Sequence, residues 1–184
     1  IWLQKVDPDL TSNIQIHVRK FGGMANAFAL PGGHIVVTEQ MMLELKSEEE
    51  LAALIAHEAG HVKYRHSLKH LTRSAIMGIA LSLFFGDFAG VSTAMAEGAS
   101  NMLEMKYSRD QEREADAYAA KIMLSIGKAP QALGELLHRL DVLNKAPEWL
   151  ATLSTHPHTQ ERIQFFGGLR DSSQAISHDP EIFW

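Results

Sequence analysis

The chain reads as an α+β fold, mainly helical, with a small β-sheet of about three strands near its start. Three observations predict this. Apolar residues alternate at period two only before Thr38, they recur at helical spacing from Ser47 onward, and no low-complexity linker or internal repeat divides the sequence. With 184 residues, 46% of them apolar and 21% charged, there is material for one core, so a single domain is expected over 1–184.

Residues 13–18 alternate polar and apolar, and 27–30 and 34–38 are short β-prone runs on either side of Pro31-Gly32-Gly33, a tight-turn sequence. Ser47 with Glu50 three positions later forms a capping-box pattern, so a helix opens there and should reach roughly His66, with Leu51, Leu54, Ile55 and Ala59 on one apolar stripe. A second helical run covers 67–85, and a third, rich in Ala and Met, covers about 91–107. Ser108 with Gln111 is another capping box, opening a helix to about Ile126 that Gly127 stops. Pro130 suits the first turn of one more helix, to about Asn144. The end of the chain offers a short run at 149–153, a loop at 155–158, a last helix near 160–169 and a loosely ordered tail at 171–184.

Composition removes several classes of function. With no Cys there is neither a disulfide frame nor a thiolate metal site, so any metal must be held by His and carboxylates. A net charge of -5 gives no electrostatic reason to approach nucleic acid. The longest apolar stretch, 75–86, falls well short of the ~20 residues a membrane span requires, and Asp87 ends it, so no transmembrane segment is expected. The chain opens at Ile1 without Met or a basic, apolar leader and so reads as a mature or excised fragment, which leaves its compartment open.

The sequence His57-Glu58-Ala59-Gly60-His61 falls on the helix that begins at Ser47. Two histidines four apart stand one turn above each other on the same face, where two imidazole nitrogens can reach one metal. Glu58 projects to the same side and can reach a metal-associated water without being a ligand. Alone, the pattern is also satisfied by two exposed helix histidines with an acidic neighbour. About fifty residues on, Glu112 and Asp116 are again four apart on one predicted helix face. A catalytic zinc takes three protein ligands and keeps one position open, so Glu112 would complete a His, His, Glu set and Asp116 could accept an imidazole N–H. Taken without the histidines, both acids would be solvated helix-face residues.

Four segments in order, Asn26-Ala-Phe-Ala-Leu-Pro-Gly-Gly33, His57 to His61, Ser108-Arg-Asp-Gln-Glu112-Arg-Glu-Ala-Asp116, and Ser154-Thr-His-Pro157 with Glu161-Arg162, resemble the gluzincin endopeptidases that include the CAAX prenyl protease, HtpX and BepA. The resemblance spans about 13–169 and implies a zincin-like metallopeptidase domain with one Zn2+ per chain, built around an active-site helix. It implies His57, His61 and Glu112 as zinc ligands, Glu58 as general base, and Asp116 as the carboxylate that orients His57. It also implies that Asn26, Ala27, Phe28 and Ala29 form an edge strand along which a polypeptide substrate lies extended, for which an unpaired strand edge offers main-chain donors and acceptors. His156, by itself a surface residue before a proline, is placed by the resemblance over the metal, as a transition-state hydrogen-bond donor or as an extra ligand in a resting form. Arg162 and Arg109 are expected to pair with buried acids around the site.

His66 lies nine positions after His57, near the opposite face of a continuous helix, and with His70, Lys63, Arg65, Lys69 and Arg73 it reads as a solvated basic face. A minority reading sets this face and the apolar run after it on a membrane surface. The function expected is a zinc-dependent endopeptidase acting on unfolded or misassembled proteins, with the bacterial envelope favoured by the resemblance. The alternative is a zinc-containing chaperone with little proteolytic activity, against which the intact Glu58 argues.

Overall fold

The structure, a computed structural model, describes residues 2–21, 23–85, 106–144, 156 and 159–172. Two short helices, α1 (Trp2–Val6) and α2 (Pro8–Thr11), precede strands β1 (Gln15–Arg19), β2 (Ala27–Leu30) and β3 (His34–Thr38). Then come α3 (Glu39–Glu44), α4 (Glu48–Lys63), α5 (His66–Phe85), α6 (Arg109–Ser125), α7 (Gln131–Asn144) and α8 (Thr159–Ser172). The fold is α+β, mainly helical with a small three-stranded sheet, as the patterning predicts. Sequence periodicity gave no sign of α1, α2 or α3, which are too short to show a helical repeat.

The sheet has the order β1-β3-β2, with β1 parallel to β3 and β2 antiparallel to it. The hairpin between β2 and β3 turns through Gly32 and Gly33, at φ 85° and 86°. A Cβ on Gly33 would stand 2.0 Å from the Asn13 carbonyl oxygen, so that turn requires glycine. β2 is thus an edge strand, and it is covered: Ala27, Phe28 and Ala29 are buried where α4 and α5 pack beside it.

Helix starts fall at the capping residues. Ser47 Oγ accepts the Glu50 N–H at 3.1 Å, while the Glu50 carboxylate accepts from Lys46 N–H at 2.8 Å and from Arg139 at 2.6 Å instead of closing the box on Ser47. Ser108 and Gln111 form the full reciprocal pair. The core gathers Ile35, Val37, Met41, Ile55, Ile122, Met123, Leu136, Leu140 and Phe166 between the sheet and the helices.

The helix expected to reach His66 stops at Lys63. Tyr64 and Arg65 close it with N–H groups on the Gly60 and Val62 carbonyls, Arg65 takes φ 55°, and α5 begins at His66. A non-glycine residue in that left-handed conformation is strained by about 1–2 kcal/mol, and nothing in the local sequence announces it. At the other end α8 continues to Ser172, past the expected stop near 169. Of the helix expected at about 91–107, residues 106 and 107 are not helical and the rest lies outside the described residues, as do 149–153 and 173–184. Among the described residues no helix is long and apolar enough to cross a membrane.

Helices α4 and α6 cross in close contact at Gly60. A Cβ built on Gly60 would lie 2.9 Å from Ala115 Cα and 3.2 Å from its carbonyl oxygen. At an open helical position Gly→Ala stabilises by up to about 1 kcal/mol. Here the methyl meets backbone, so Gly60→Ala should reverse that sign, with an overpacking cost of about 1–3 kcal/mol. A thermal melt should show a fall of several degrees; an unchanged or raised Tm would show that the crossing yields freely.

Candidate metal and catalytic site

The α4–α6 crossing sets the site. His57 and His61 straddle Gly60 on α4, and Glu112 and Asp116 straddle Ala115 on α6, so two pairs at helical spacing face each other across the point of nearest approach. Arg162 enters from α8 and His156 from the segment before it. His57, Glu58, His61, Glu112, Asp116, His156 and Arg162 are each at 4% exposure or less.

Four of these side chains bring one donor atom each within 4.8 Å of all the others: His57, His61, Glu112 and His156. His57 Nε2 lies 3.1 Å from His61 Nε2 and 3.5 Å from Glu112 Oε2, His61 Nε2 lies 3.7 Å from Glu112 Oε1, and His156 Nδ1 lies 3.3 Å from His57 Nε2 and 2.9 Å from Glu112 Oε1. Ligand atoms ~2.0–2.1 Å from a tetrahedral zinc stand roughly 3.3–3.4 Å apart, close to this spread. Two further features fit a divalent cation. Glu112 Oε2 and both Glu58 oxygens are buried without a hydrogen-bond partner, a costly state for a carboxylate unless another group compensates it. Three carboxylates, Glu58, Glu112 and Asp116, also lie buried around one guanidinium, that of Arg162.

The surrounding groups hold these atoms in place. Asp116 Oδ1 is 2.9 Å from His57 Nδ1, and Arg162 grips Asp116 in a bidentate pair through Nε and Nη2, both at 2.8 Å. Arg162 Nη1 lies 2.9 Å from Glu112 Oε2 without the alignment of a hydrogen bond, so that contact is purely electrostatic. Burial works to raise the Asp116 pKa, but Arg162 and His57 outweigh it and hold it at about 2. Glu112 is likewise held below the usual carboxylate range, with burial opposed by His156 and Arg162. Burial, with His57 and His156 nearby, keeps His61 well below the usual imidazole pKa, which favours the neutral form a metal needs. For His156 burial acts downward, while the carboxylates of Glu112 and Glu58 overcome it and raise the pKa.

Several expected site residues therefore converge: His57, Glu58, His61, Glu112, Asp116 and His156, with Arg162 paired to buried acids. Arg109 is exposed at the start of α6. Asn26 and Phe28 point their backbone groups toward β3, while Ala27 and Ala29 present theirs to the outer edge. That edge is engaged: His156 Nε2 donates to the Ala27 carbonyl at 3.2 Å, and Ser67 Oγ donates to the Ala29 carbonyl at 2.6 Å.

Two histidines depart from the solvated face expected of them. His66 is fully buried, with Nδ1 2.9 Å from His61 Nδ1 and Nε2 2.9 Å from Glu114 Oε2, because the turn at Arg65 ends the helix that would have carried it away. His70 is half-buried, with Nε2 3.0 Å from Gln111 Oε1. Lys63, Arg65, Lys69 and Arg73 are exposed as expected. Tyr107, which sequence reading passed over, stacks on the His61 ring with centroids 3.9 Å apart, and its hydroxyl pairs with Ser67 at 2.9 Å. A lone tyrosine after an Ala- and Met-rich stretch carries no signal that would have singled it out.

A helix carrying His, Glu and His toward one side, with a carboxylate from the helix that crosses it, is the arrangement expected of a metallopeptidase centre. The profile of Peptidase family M48 matches residues 8–169, and the chain belongs to that family. It is 30% identical over 149 residues to a putative beta-barrel assembly-enhancing protease of Vibrio cholerae, a match covering 75% of this chain and 31% of that protein. It is 33% identical over 142 residues to the mitochondrial metalloendopeptidase OMA1 of Schizosaccharomyces pombe, covering 76% of this chain and 42% of the relative. A protease HtpX homolog of Desulfatibacillum aliphaticivorans matches at 29% over 196 residues, covering 85% and 63%. The chain spans about a third to somewhat under two thirds of the length of these relatives.

Proposed function

We propose that the chain is a zinc-dependent endopeptidase that hydrolyses peptide bonds in unfolded or misassembled proteins presented as extended strands. The observation that carries the reading is Glu58, a carboxylate buried beside four converging donor atoms with both of its oxygens lacking a hydrogen-bond partner. His57, His61 and Glu112 would hold the zinc, which supplies Lewis acidity to the scissile carbonyl and raises the acidity of the attacking water. Glu58 then takes the water proton and later returns it to the leaving amine. Asp116, fixed by Arg162, accepts the His57 Nδ1 proton and keeps Nε2 turned toward the other donors. A chaperone that only bound zinc would need the ligands but not Glu58.

His156 supports a resting form. Its Nε2–H is committed to the Ala27 carbonyl, and its Nδ1 lies among the donor atoms of His57 and Glu112. A proton on Nδ1 and a cation compete for the same lone pair. While His156 stays there, an extended peptide cannot pair with β2 at Ala27, so His156 must leave the Ala27 carbonyl before substrate enters.

A separate observation bears on where the chain works. Helix α5 contains no acidic residue, exposes Arg65, Lys69 and Arg73 around its start and exposes Ile76, Met77, Ile79, Leu83 and Phe84 farther along. We infer that α5 rests on an anionic membrane surface, its basic end at the headgroups and its apolar end below them. The bacterial envelope, which the family resemblance favours, provides such a surface.

Glu58→Gln should keep zinc and fold while cleavage of unfolded casein disappears, because the amide preserves shape and removes the base; near-normal turnover would remove Glu58 from the mechanism. His156→Ala should raise basal casein cleavage and loosen zinc. A fall in turnover of about ten- to a thousand-fold with zinc retained would instead make it an oxyanion donor, and no change in either would leave it without a role. For α5, the chain should sediment with vesicles containing anionic phospholipid, and Lys69→Glu with Arg73→Glu should release it. Equal binding by that double variant would rule out the headgroup contact.

A further inference from the structure

His57 and His61 are equivalent in the proposed ligand set, yet the structure gives them different supports. His57 has a carboxylate behind it. Behind His61 stands a second imidazole: His61 Nδ1 lies 2.9 Å from Nδ1 of the fully buried His66. The other ring nitrogen of His66, Nε2, lies 2.9 Å from Glu114 Oε2, on a side chain 51% exposed.

This geometry fixes the proton positions in order. An ionised carboxylate only accepts, so His66 Nε2 carries the hydrogen that Glu114 receives. A neutral His66 is then bare at Nδ1, and two nitrogens 2.9 Å apart need one hydrogen between them, which must come from His61 Nδ1. His61 is left with its lone pair on Nε2, the atom 3.1 Å from His57 Nε2 and 3.7 Å from Glu112 Oε1. A wrong tautomer at either ring would turn a proton toward the metal position.

We propose that His66 and Glu114 form a relay that positions His61, setting its tautomer and ring orientation from the protein surface inward; the inference rests on the zinc reading of His57, His61 and Glu112. Packing alone does not account for His66. Burying an imidazole is unfavourable beside an apolar side chain of the same size, and the chain adopts a strained Arg65 to bring it there. Tyr107 on the open face of the His61 ring restricts the ring's tilt but takes no part in its hydrogen bonding.

The test is zinc affinity of the whole chain, measured by chelator competition, with a thermal melt of each variant as the check on folding. His66→Phe fills the volume and removes the acceptor, and should weaken zinc binding by about ten- to a hundredfold. His66→Asn keeps an acceptor oxygen near the place of Nδ1 and should recover most of that loss. A role in packing alone predicts the opposite order, with Phe the better replacement, and that order overturns the relay. Should His66→Phe fail to fold, Glu114→Ala decides, since it changes only a half-exposed side chain: weaker zinc binding supports the relay and unchanged binding overturns it. Glu112→Ala separates this inference from the reading beneath it. If Glu112→Ala holds zinc as tightly as the unaltered chain, the ligand set is misassigned; if it loses zinc while His66→Phe retains it, the relay alone falls.

Discussion

The backbone contact between Gly60 and Ala115 is the constraint on which the site depends. A residue without a side chain on α4 meets the backbone of α6, leaving no room for a methyl group between the two helices. On each helix the two site residues lie on either side of that contact, so the separation of the imidazoles from the carboxylates is set by backbone and not by adjustable side chains. Metal–ligand distances tolerate only about 0.2 Å of error. A site assembled from long side chains across a looser crossing would need to regain that accuracy by ordering each one separately, at an entropic cost for each. Here most of the ordering is done when the core forms, because Ala53, Ala56, Ala59, Ala115 and Ala119 are fully buried on the same helices.

Electrostatics then decides what such a cavity can hold. Glu58, Glu112 and Asp116 are buried around a single guanidinium, and Arg162 is spent on two of them, firmly on Asp116 and by charge alone on Glu112. Among the described residues, His156 Nε2 at 3.4 Å is the basic group within ion-pair reach of Glu58. Both ways of relieving the excess negative charge meet at one place. A proton can settle on His156, whose pKa the carboxylates raise, or a dication can settle among His57, His61 and Glu112. Because these alternatives would occupy the same few ångströms, protonation of His156 and binding of a cation would be coupled.

Much of this was legible because it is local. Two i, i+4 pairs, two serine caps and a Pro-Gly-Gly turn each need only a few neighbouring residues to make their point, and the fold class follows from the change of period after Thr38. What escaped was decided at single backbone positions. One left-handed residue, Arg65, separates a continuous helix that would have carried His66 to the far face from the observed break that returns it to His61. Sequence offers no warning, since left-handed turns are signalled by glycine or asparagine and here the position is arginine. Tyr107 and Ser67 escaped for a different reason: they act through long-range contacts, on the His61 ring, on the Ala29 carbonyl and on each other, and long-range contacts leave no periodic trace in a single sequence.

The same contacts explain how an edge strand can exist here without being a hazard. An open edge beside a hydrolytic centre would invite any extended chain, including another copy of this one, to pair with it. β2 offers two outward carbonyls, at Ala27 and Ala29, and the structure engages both, the first from His156 and the second from Ser67 and Tyr107. Side-chain hydrogen bonds to a strand edge are weak individually, each contributing about 0.5–1.5 kcal/mol, so a peptide able to form several main-chain bonds at once can displace them. Under the endopeptidase reading proposed above, such an edge would yield to an extended chain of some length and not to a single stray contact.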